Sequence, residues 1–267
     1  MSPSPRDTSF APSFAYLARQ KYDLILGIGF LQQRDVDAAA LRFPAQKFAY
    51  LDGRRQDLRH RPKNVRGTLF KTEEPAYLAG YLAALLEKRR PGKDVVATVG
   101  GIKIPTVDTY IAGFQAGARK ADPGITALNA YSRDFVNQEK CATLARSEIA
   151  RGAGVVFAVA GGCGVGALDA AAEAGVWAVG VDIDQSYLGP HILTSVVKRL
   201  DVAVVAIVRS LVDGTFTTGT DTVFGLKNGG VGLGRISSNV PRRFVRALDA
   251  IRAQIVAGKI HVPSALG

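Results

Sequence analysis

The chain has 267 residues, enough for one large α/β domain or two smaller ones, and 47% of them are hydrophobic. A charged fraction of 21%, 29 glycines and the lack of any low-complexity tract exclude a disordered chain. The net charge of +11 is spread along the sequence. Its densest cluster, residues 54–66, has no interleaved aromatic residues, and neither a recognition-helix pair nor zinc-finger spacing occurs. We therefore predict no nucleic-acid partner.

The apolar pattern alternates between short strands and helices throughout the chain. Thr72 is predicted to cap one helix and Asp201 another, and Pro241 to open the last one. Such alternation is typical of parallel sheets covered by helices. The predicted elements in chain order are helix 9–20, strand 22–27, helix 35–43, strand 47–51, strand 65–70, helix 73–90, strand 94–99, helix 107–121, strand 125–131, helix 137–151, strand 155–160, helix 165–174, strand 176–181, strand 193–197, helix 201–212, strands 222–226 and 230–233, and helix 241–258.

One unit of this pattern occurs twice. Residues 22–52 form a strand ending in glycine, a helix, and a strand ending in Asp52, and residues 154–182 repeat that unit and end in Asp182. The repeat predicts two similar doubly wound lobes. Ligands of such sheets bind beyond the carboxyl ends of the strands, where Asp52, Gly161, Gly162 and Asp182 all fall. Carboxylates there can accept hydrogen bonds from sugar hydroxyls, and glycines let the backbone approach a ligand.

Residues 162–167 fit the pattern G-x-G-x-x-A between a strand and a helix, with Asp182 at the end of the next strand. This spacing resembles a dinucleotide-binding fingerprint and raises the alternative of an NAD-dependent oxidoreductase. The matching unit at residues 22–52 has no such pattern, so we favour a tight turn at a binding site.

No catalytic or metal-binding motif stands out in the sequence. HExxH, GxSxG and Walker patterns are absent, and nothing near Asp182 and Asp184 completes a metal shell. We expect one of these carboxylates to bind ligand and the other to order its loop. Phe135 and Phe30 could each stack on a base or pack into the core, and Lys198 could donate to a ligand or remain solvated.

The two cysteines, Cys141 and Cys163, fit no CxxC pattern, and we expect each to be a free, partly buried thiol. The first residues contain neither an apolar signal segment nor a lipid-attachment cysteine, so the chain as written is expected in the cytoplasm. The longest apolar runs, such as residues 202–208, are too short to span a bilayer.

Several segments together resemble the basic membrane protein family, the nucleoside-binding lipoproteins of ABC transporters, similar to the purine-nucleoside receptor type. They include the sequence GVDIDQ at residues 180–185, TSVVK at 194–198, YDLI at 22–25 and FAVAGG at 157–162. The resemblance extends over residues 9–262. It implies a periplasmic-binding-protein type I fold that closes around a nucleoside, no catalytic residues, no cofactor, no metal, and an ABC permease as partner.

Carried over by position, the resemblance implies a set of ligand-binding residues. Asp182 would hold ribose hydroxyls with Lys198 beside it, Phe135 would stack on the base, and Gly161 and Gly162 would bring backbone to the ligand. Asp52 would match a carboxylate of lobe one.

The resemblance implies that family members begin with a lipoprotein signal and a strand, and we expect the sequence as written to lack both. Members are expected to be membrane-anchored or periplasmic, and we expect lobe one here to be incomplete, without its first strand. Lobe one is predicted at residues 1–71 and 190–218, and lobe two at 72–189 and 219–267, with three chain crossings forming a hinge.

The favoured function is therefore capture of a nucleoside, with a purine preferred, in a cleft between the lobes. A cytoplasmic ligand-sensing regulator is the first alternative, and the oxidoreductase is the second.

Overall fold

The computed structural model describes residues 9–92 and 94–266, and the chain divides into two compact α/β units. Unit 1 comprises Met1–Phe70 and Leu200–Phe224, and unit 2 comprises Lys71–Arg199 and Gly225–Gly267. The helices are α1 Ala11–Arg19, α2 Gln33–Arg42, α3 Glu73–Glu87, α4 Pro105–Ala121, α5 Gln138–Ala150, α6 Gly164–Glu173, α7 Leu200–Val212 and α8 Arg242–Val256. The strands are β1 Ile25–Ile28, β2 Phe48–Leu51, β3 Val65–Phe70, β4 Val95–Gly100, β5 Thr126–Tyr131, β6 Val155–Val159, β7 Trp177–Asp182, β8 Ile192–Lys198, β9 Asp221–Phe224 and β10 Val231–Leu233.

Unit 1 is built on a four-stranded parallel sheet with the order β1-β2-β3-β9. Helices α1 and α2 cover one face, where Phe14, Val36 and Phe48 are buried together. Helix α7 covers the other face and buries Ile207 against β2. Within the described ranges, β1 pairs on its β2 side alone and so forms one edge of the sheet.

Unit 2 is built on a six-stranded sheet with the order β10-β8-β7-β6-β4-β5. All neighbouring strands are parallel except β10, which runs antiparallel to β8. The chain leaves β4 toward β5 on one side and then returns to β6 on the other. The strand order therefore reverses between β4 and β6, and such a switch point is where open α/β sheets bind ligands.

Helices α3 and α4 pack on one face of this sheet with almost no space between their backbones. A Cβ atom on Gly117 would lie 1.9 Å from the carbonyl oxygen of Tyr77, and one on Gly80 would lie 1.9 Å from that of Phe114. These two positions therefore accept only glycine. The close approach lets Phe114 pack its ring 5.1 Å from that of Phe157 on β6, which anchors the helix pair to the sheet.

The other face of unit 2 carries α5 and α6, which are joined by a disulfide bond between Cys141 and Cys163. The prediction of two free thiols was wrong, because the helix pair brings together two cysteines that lie 22 residues apart in sequence. Both residues are fully buried. In a chain-entropy estimate, a crosslink over a loop of this length stabilises the folded state by about 3 kcal/mol.

Strand β8 differs most from its predicted place. Residues 190–199 were expected in lobe one, but β8 hydrogen-bonds in parallel to β7 and belongs to unit 2. Conversely β9, expected in lobe two, pairs with β3 in unit 1. An apolar strand pattern shows that a segment is buried in a sheet but does not reveal which neighbour it pairs with.

Two of the predicted helix caps also differ from what the structure shows. Thr72 precedes α3 in a helical backbone conformation, and its side chain makes no capping hydrogen bond. Asp201 lies inside the first turn of α7, because that helix begins at Leu200. Its charge still favours the helix, since a carboxylate in the first turn interacts well with the helix dipole.

The buried Glu148 of α5 makes the stability of unit 2 depend on pH. Burial raises its pKa, with Arg151 opposing that shift from 3.9 Å, and its Oε2 atom has no hydrogen-bond partner. A raised folded-state pKa means that the folded carboxyl holds its proton to higher pH than the unfolded one. Stability therefore falls as pH rises from the ordinary value of 4.5 through the raised value.

We expect Glu148→Gln to reduce this fall and to stabilise the protein at pH 8 by on the order of 1 kcal/mol, the cost of an incompletely paired buried carboxylate. Urea unfolding at pH 5 and pH 8 measures the effect. Exposed Glu139→Gln on the same helix is the control and should leave the difference between the two pH values unchanged. An equal pH dependence in Glu148→Gln and wild type would contradict the assignment.

None of the helices in the two described ranges combines the length and the apolar character that a membrane span requires.

Candidate ligand site

The carboxyl ends of the central strands of unit 2 carry most of the residues predicted to bind ligand. Gly161 and Gly162 follow β6, Asp182 ends β7 and Lys198 ends β8. Phe135 comes from the loop after β5, at the outer edge of the sheet. Parallel strands bring all these ends to one edge of the unit, beside the switch point between β4 and β6.

The loop after β5 brings Phe135 back to the switch point. Its ring lies directly over Gly101, the residue after β4, and is 2.4 Å from where a Cβ on that glycine would be. The carbonyl oxygen of Phe135 accepts a hydrogen bond from the Cys163 N–H at 3.0 Å, in the turn after β6. The side chain is half-buried, so packing against backbone leaves part of the ring accessible.

Asp134 orders the loop that carries Phe135. Its carboxylate accepts hydrogen bonds from the backbone N–H groups of Val136 and Asn137 and from Lys140 Nζ at 2.8 Å. The hydrogen bond from Lys140, followed by those backbone N–H groups, lowers the pKa of Asp134 far below its usual value. Asn137 then caps α5 by accepting from the Lys140 N–H. The loop is therefore fixed on both sides of Phe135.

Asp182 is presented at the end of β7 by a strained turn. Its φ angle is 65°, and the Ile183 N–H donates to the Val181 carbonyl at 2.8 Å, which closes a three-residue turn around it. A non-glycine residue in this conformation costs energy and is found most often at functional sites. The side chain of Asp182 is 48% exposed, so its carboxylate remains accessible while its backbone is held.

Two side chains hold the carboxylate of Asp182. Tyr110, on the buried face of α4, donates a hydrogen bond to Oδ1 at 2.8 Å. Lys198 places Nζ 3.4 Å from the same oxygen, and its own side chain is only 10% exposed. The arrangement fixes the orientation of the carboxylate and supplies a cation beside it.

The neighbours of Asp182 in the sequence GVDIDQ hold β7 and β8 in place. Gln185 Oε1 accepts from the Val181 N–H at 2.8 Å, and the Gln185 N–H donates to Ser195 Oγ on β8 at 3.0 Å. Asp184 accepts from the backbone N–H groups of Ser186 and Arg235, each at 3.0 Å. Burial alone would raise the pKa of Asp184, but these hydrogen bonds outweigh it and lower the pKa below its usual value.

Asp184 therefore orders the loop, which is the role expected for one of the two neighbouring carboxylates. No group of three or more His, Cys, Asp or Glu side chains within residues 9–92 and 94–266 could hold a metal ion.

Asp52 lies in unit 1, at the carboxyl end of β2. Its φ angle of 62° matches that of Asp182, so the two strand-ending aspartates of the predicted repeat share an unusual backbone conformation. Gly53, the next residue, pairs with Thr68 on β3 in an antiparallel bridge. Phe30 follows β1 in the same unit and is 39% exposed.

The two glycines of the pattern G-x-G-x-x-A, Gly162 and Gly164, lie in the turn after β6 and at the start of α6, where a Cβ on Gly162 would be 3.3 Å from the Phe135 carbonyl oxygen and one on Gly164 would be 3.4 Å from the Ala158 Cβ. Two neighbouring glycines, Gly161 and Gly166, have clearer structural reasons. A Cβ on Gly166 would lie 2.1 Å from the carbonyl oxygen of Gln138, so this glycine allows the close contact between α6 and the start of α5. Gly161 has a φ angle of 53° and opens the turn after β6. The spacing therefore reflects a tight strand-to-helix turn.

Tyr110 is the residue that sequence reasoning missed. It lies in the second turn of α4, the helix that follows β4, among apolar residues that are typical of a core position. A usable signal was present, because a buried tyrosine hydroxyl normally finds a hydrogen-bond partner. That the partner is Asp182 could not be inferred from the sequence.

These features define a class of protein. Two α/β units built on largely parallel sheets are the architecture of periplasmic-binding-protein type I-like solute-binding proteins. A solved solute-binding protein of an ABC transporter system from Aeropyrum pernix K1 superposes with a TM-score of 0.81. It is 25% identical, and the match covers 95% of this chain and 81% of that one.

The chain belongs to the Bmp family, described as ABC transporter substrate-binding protein PnrA-like, whose model matches residues 4–265. It is 31% identical to the ABC transporter nucleoside-binding protein BmpA of Lactococcus lactis over 96% of this chain and 76% of the relative. It is also 31% identical to basic membrane protein B of Borrelia garinii subsp. bavariensis, over 96% of this chain and 74% of that protein.

The family confirms the resemblance seen in the sequence. Its proteins are substrate-binding components of ABC transporters rather than enzymes, so the oxidoreductase alternative was wrong. Family members work outside the cytoplasm, with a small-molecule ligand and a permease partner.

Proposed function

We propose that this chain captures a nucleoside, with a purine nucleoside preferred, and delivers it to an ABC permease outside the cytoplasm. The ligand is held at the carboxyl ends of the strands of unit 2 by Asp182, Lys198, Phe135 and the turn at Gly161 and Gly162. A buried disulfide fits such a location, because disulfides persist in oxidising compartments.

The observation that carries this proposal is the presentation of Asp182. An accessible carboxylate, held by Tyr110 and Lys198 in a strained turn, is suited to accept hydrogen bonds from a pair of sugar hydroxyls. Lys198 can donate to the same sugar.

Phe135 supplies the complementary contact for the base. Its ring lies over Gly101 beside the end of β6, and β6 is the direct neighbour of β7, which ends in Asp182. Strand β6 lies between β4 and β7, and neighbouring strands are about 5 Å apart, so the strand ends that carry Gly101 and Asp182 are separated by roughly 10 Å. A base stacked on the ring and a ribose on the carboxylate require a spacing of this order. The name of the Lactococcus relative, a nucleoside-binding protein, supports the same ligand class.

Isothermal titration calorimetry with guanosine, inosine, adenosine, cytidine and uridine tests the proposal. We expect saturable binding of at least one purine nucleoside and weaker binding of the pyrimidine nucleosides. Free ribose and free guanine are the controls, since each offers only half of the proposed contacts. Saturable binding of a sugar or amino acid, with no heat from any nucleoside, would overturn the ligand assignment.

We expect Tyr110→Phe to weaken nucleoside binding about fivefold, because it removes one hydrogen bond to the charged carboxylate of Asp182 at a net cost of about 1 kcal/mol. Tyr131→Phe is the matched control, because the Tyr131 hydroxyl also donates to a carboxylate, that of Asp108. Calorimetry on both variants separates the loss of the hydrogen bond to Asp182 from the loss of a tyrosine hydroxyl elsewhere in unit 2. Equal affinities for wild type and Tyr110→Phe would show that the hydroxyl does not orient Asp182.

A further inference from the structure

We infer that the Cys141–Cys163 disulfide positions the ligand site, and that opening it weakens ligand binding beyond any loss of overall stability. The inference rests on the proposed function for the identity of the ligand, and on the contacts of the two cysteines for the positioning role.

Cys163 is the residue of the glycine turn whose side chain can hold that turn to the core. The turn after β6 runs through Gly161, Gly162 and Cys163, and the two glycines have no side chains with which to anchor it. The Cys163 side chain is fully buried beneath the turn, whereas Gly161 and Gly162 are exposed. The disulfide therefore attaches this turn to helix α5 through a buried covalent bond.

The same residue also holds the aromatic loop. The Cys163 N–H donates to the carbonyl oxygen of Phe135 at 3.0 Å, and its Sγ lies 3.4 Å from Ser132 Oγ. Displacing Cys163 would therefore disturb the loop of Phe135 and the turn of Gly161 together.

The second cysteine fixes the far end of that loop. Cys141 is the fourth residue of α5, and the Asn137 cap of that helix lies two residues after Phe135. The disulfide joins this helix start to the turn that opens α6, where Gly166 already packs on the Gln138 backbone. Phe135 therefore lies between two segments that the disulfide joins. The loop proposed to contact the base and the turn proposed to approach the ligand with its backbone are both held by this bond.

The test compares the oxidised protein with the double variant Cys141→Ala/Cys163→Ala by calorimetry and by amide hydrogen exchange. We expect the double variant to bind its best nucleoside about tenfold more weakly, since a ligand must then order two loops that were preformed. We also expect faster exchange of the amides in residues 132–137 and 161–164 before any ligand is added.

A control variant separates positioning from general stability. Leu82→Ala in buried α3 removes packing elsewhere in unit 2 and leaves the disulfide intact. It should lower the unfolding midpoint but leave both the nucleoside affinity and the exchange of residues 161–164 unchanged. An unchanged affinity and unchanged loop exchange in the double cysteine variant would overturn the inference, as would an equal loss of affinity in Leu82→Ala.

The exchange measurement also separates this inference from the proposed function. Faster loop exchange in the double variant, together with no nucleoside binding by the wild type, would support the positioning role and reject the nucleoside as ligand. Unchanged loop exchange, with nucleoside binding intact in both proteins, would reject the positioning role and support the nucleoside.

Discussion

Asp182→Asn is expected to weaken nucleoside binding about a hundredfold, or roughly 3 kcal/mol, because hydrogen bonds to a charged acceptor are each worth about 1.5–3 kcal/mol. The substitution keeps the size of the side chain but replaces one acceptor oxygen by an amide that can only donate. It also removes the negative charge that lies 3.4 Å from Lys198 Nζ. Calorimetry with the best nucleoside measures the loss.

Asp249→Asn serves as the control for this experiment. Asp249 is exposed on α8, so the variant makes the same chemical change and the same change in net charge outside the proposed site. Its affinity should equal that of the wild type. If Asp182→Asn also bound nucleoside with wild-type affinity, the carboxylate would not contact the ligand and the proposed site would be wrong.

Gly117→Ala is expected to destabilise unit 2 by more than about 3 kcal/mol, although alanine is the better helix former by about 1 kcal/mol. The added methyl group would lie 1.9 Å from the Tyr77 carbonyl oxygen, so α3 and α4 would have to separate. Separation would loosen the packing of Phe114 against Phe157 on β6. Urea unfolding followed by circular dichroism measures the change.

Gly232→Ala is the matched control for this stability prediction. A Cβ at Gly232 on β10 would meet no atom within 4 Å, and its backbone is not in the left-handed region. We expect its stability to lie within about 0.5 kcal/mol of the wild type, as for most surface substitutions. Equal stability of the Gly117 and Gly232 variants would mean that α3 and α4 can move apart at little cost.

The repeat in the sequence predicted the two sheets and the position of Asp52 and Asp182 at strand ends. It did so because apolar runs and the residues that end them depend on local chemistry. The pairing of β8 with β7, and of β9 with β3, depends on contacts between distant segments and could not be derived from the same pattern. The lobe boundaries at residues 190 and 218 were displaced for that reason.

The same distinction applies to the site. Lys198 and Asp182 could be selected from sequence because each ends a strand, and the structure places them 3.4 Å apart. The Tyr110–Asp182 hydrogen bond and the Cys141–Cys163 bond each join different elements, so the partner in each pair cannot be identified from local sequence. Residues that support a site from neighbouring helices are found only when the packing of those helices is known.

We expect unit 1 to unfold before unit 2 because β1 lies at the edge of its sheet. Its backbone bonds on the β2 side include those from Ile25 to Lys47 and from Gly29 to Leu51, whereas the outward N–H of Ile28 is covered only by the side chain of Gln32. A sheet of four strands with such an edge opens more readily than the six-stranded sheet of unit 2. We then expect unit 1 and unit 2 to unfold in two separate stages. A single denaturation midpoint for the whole chain would describe neither stage.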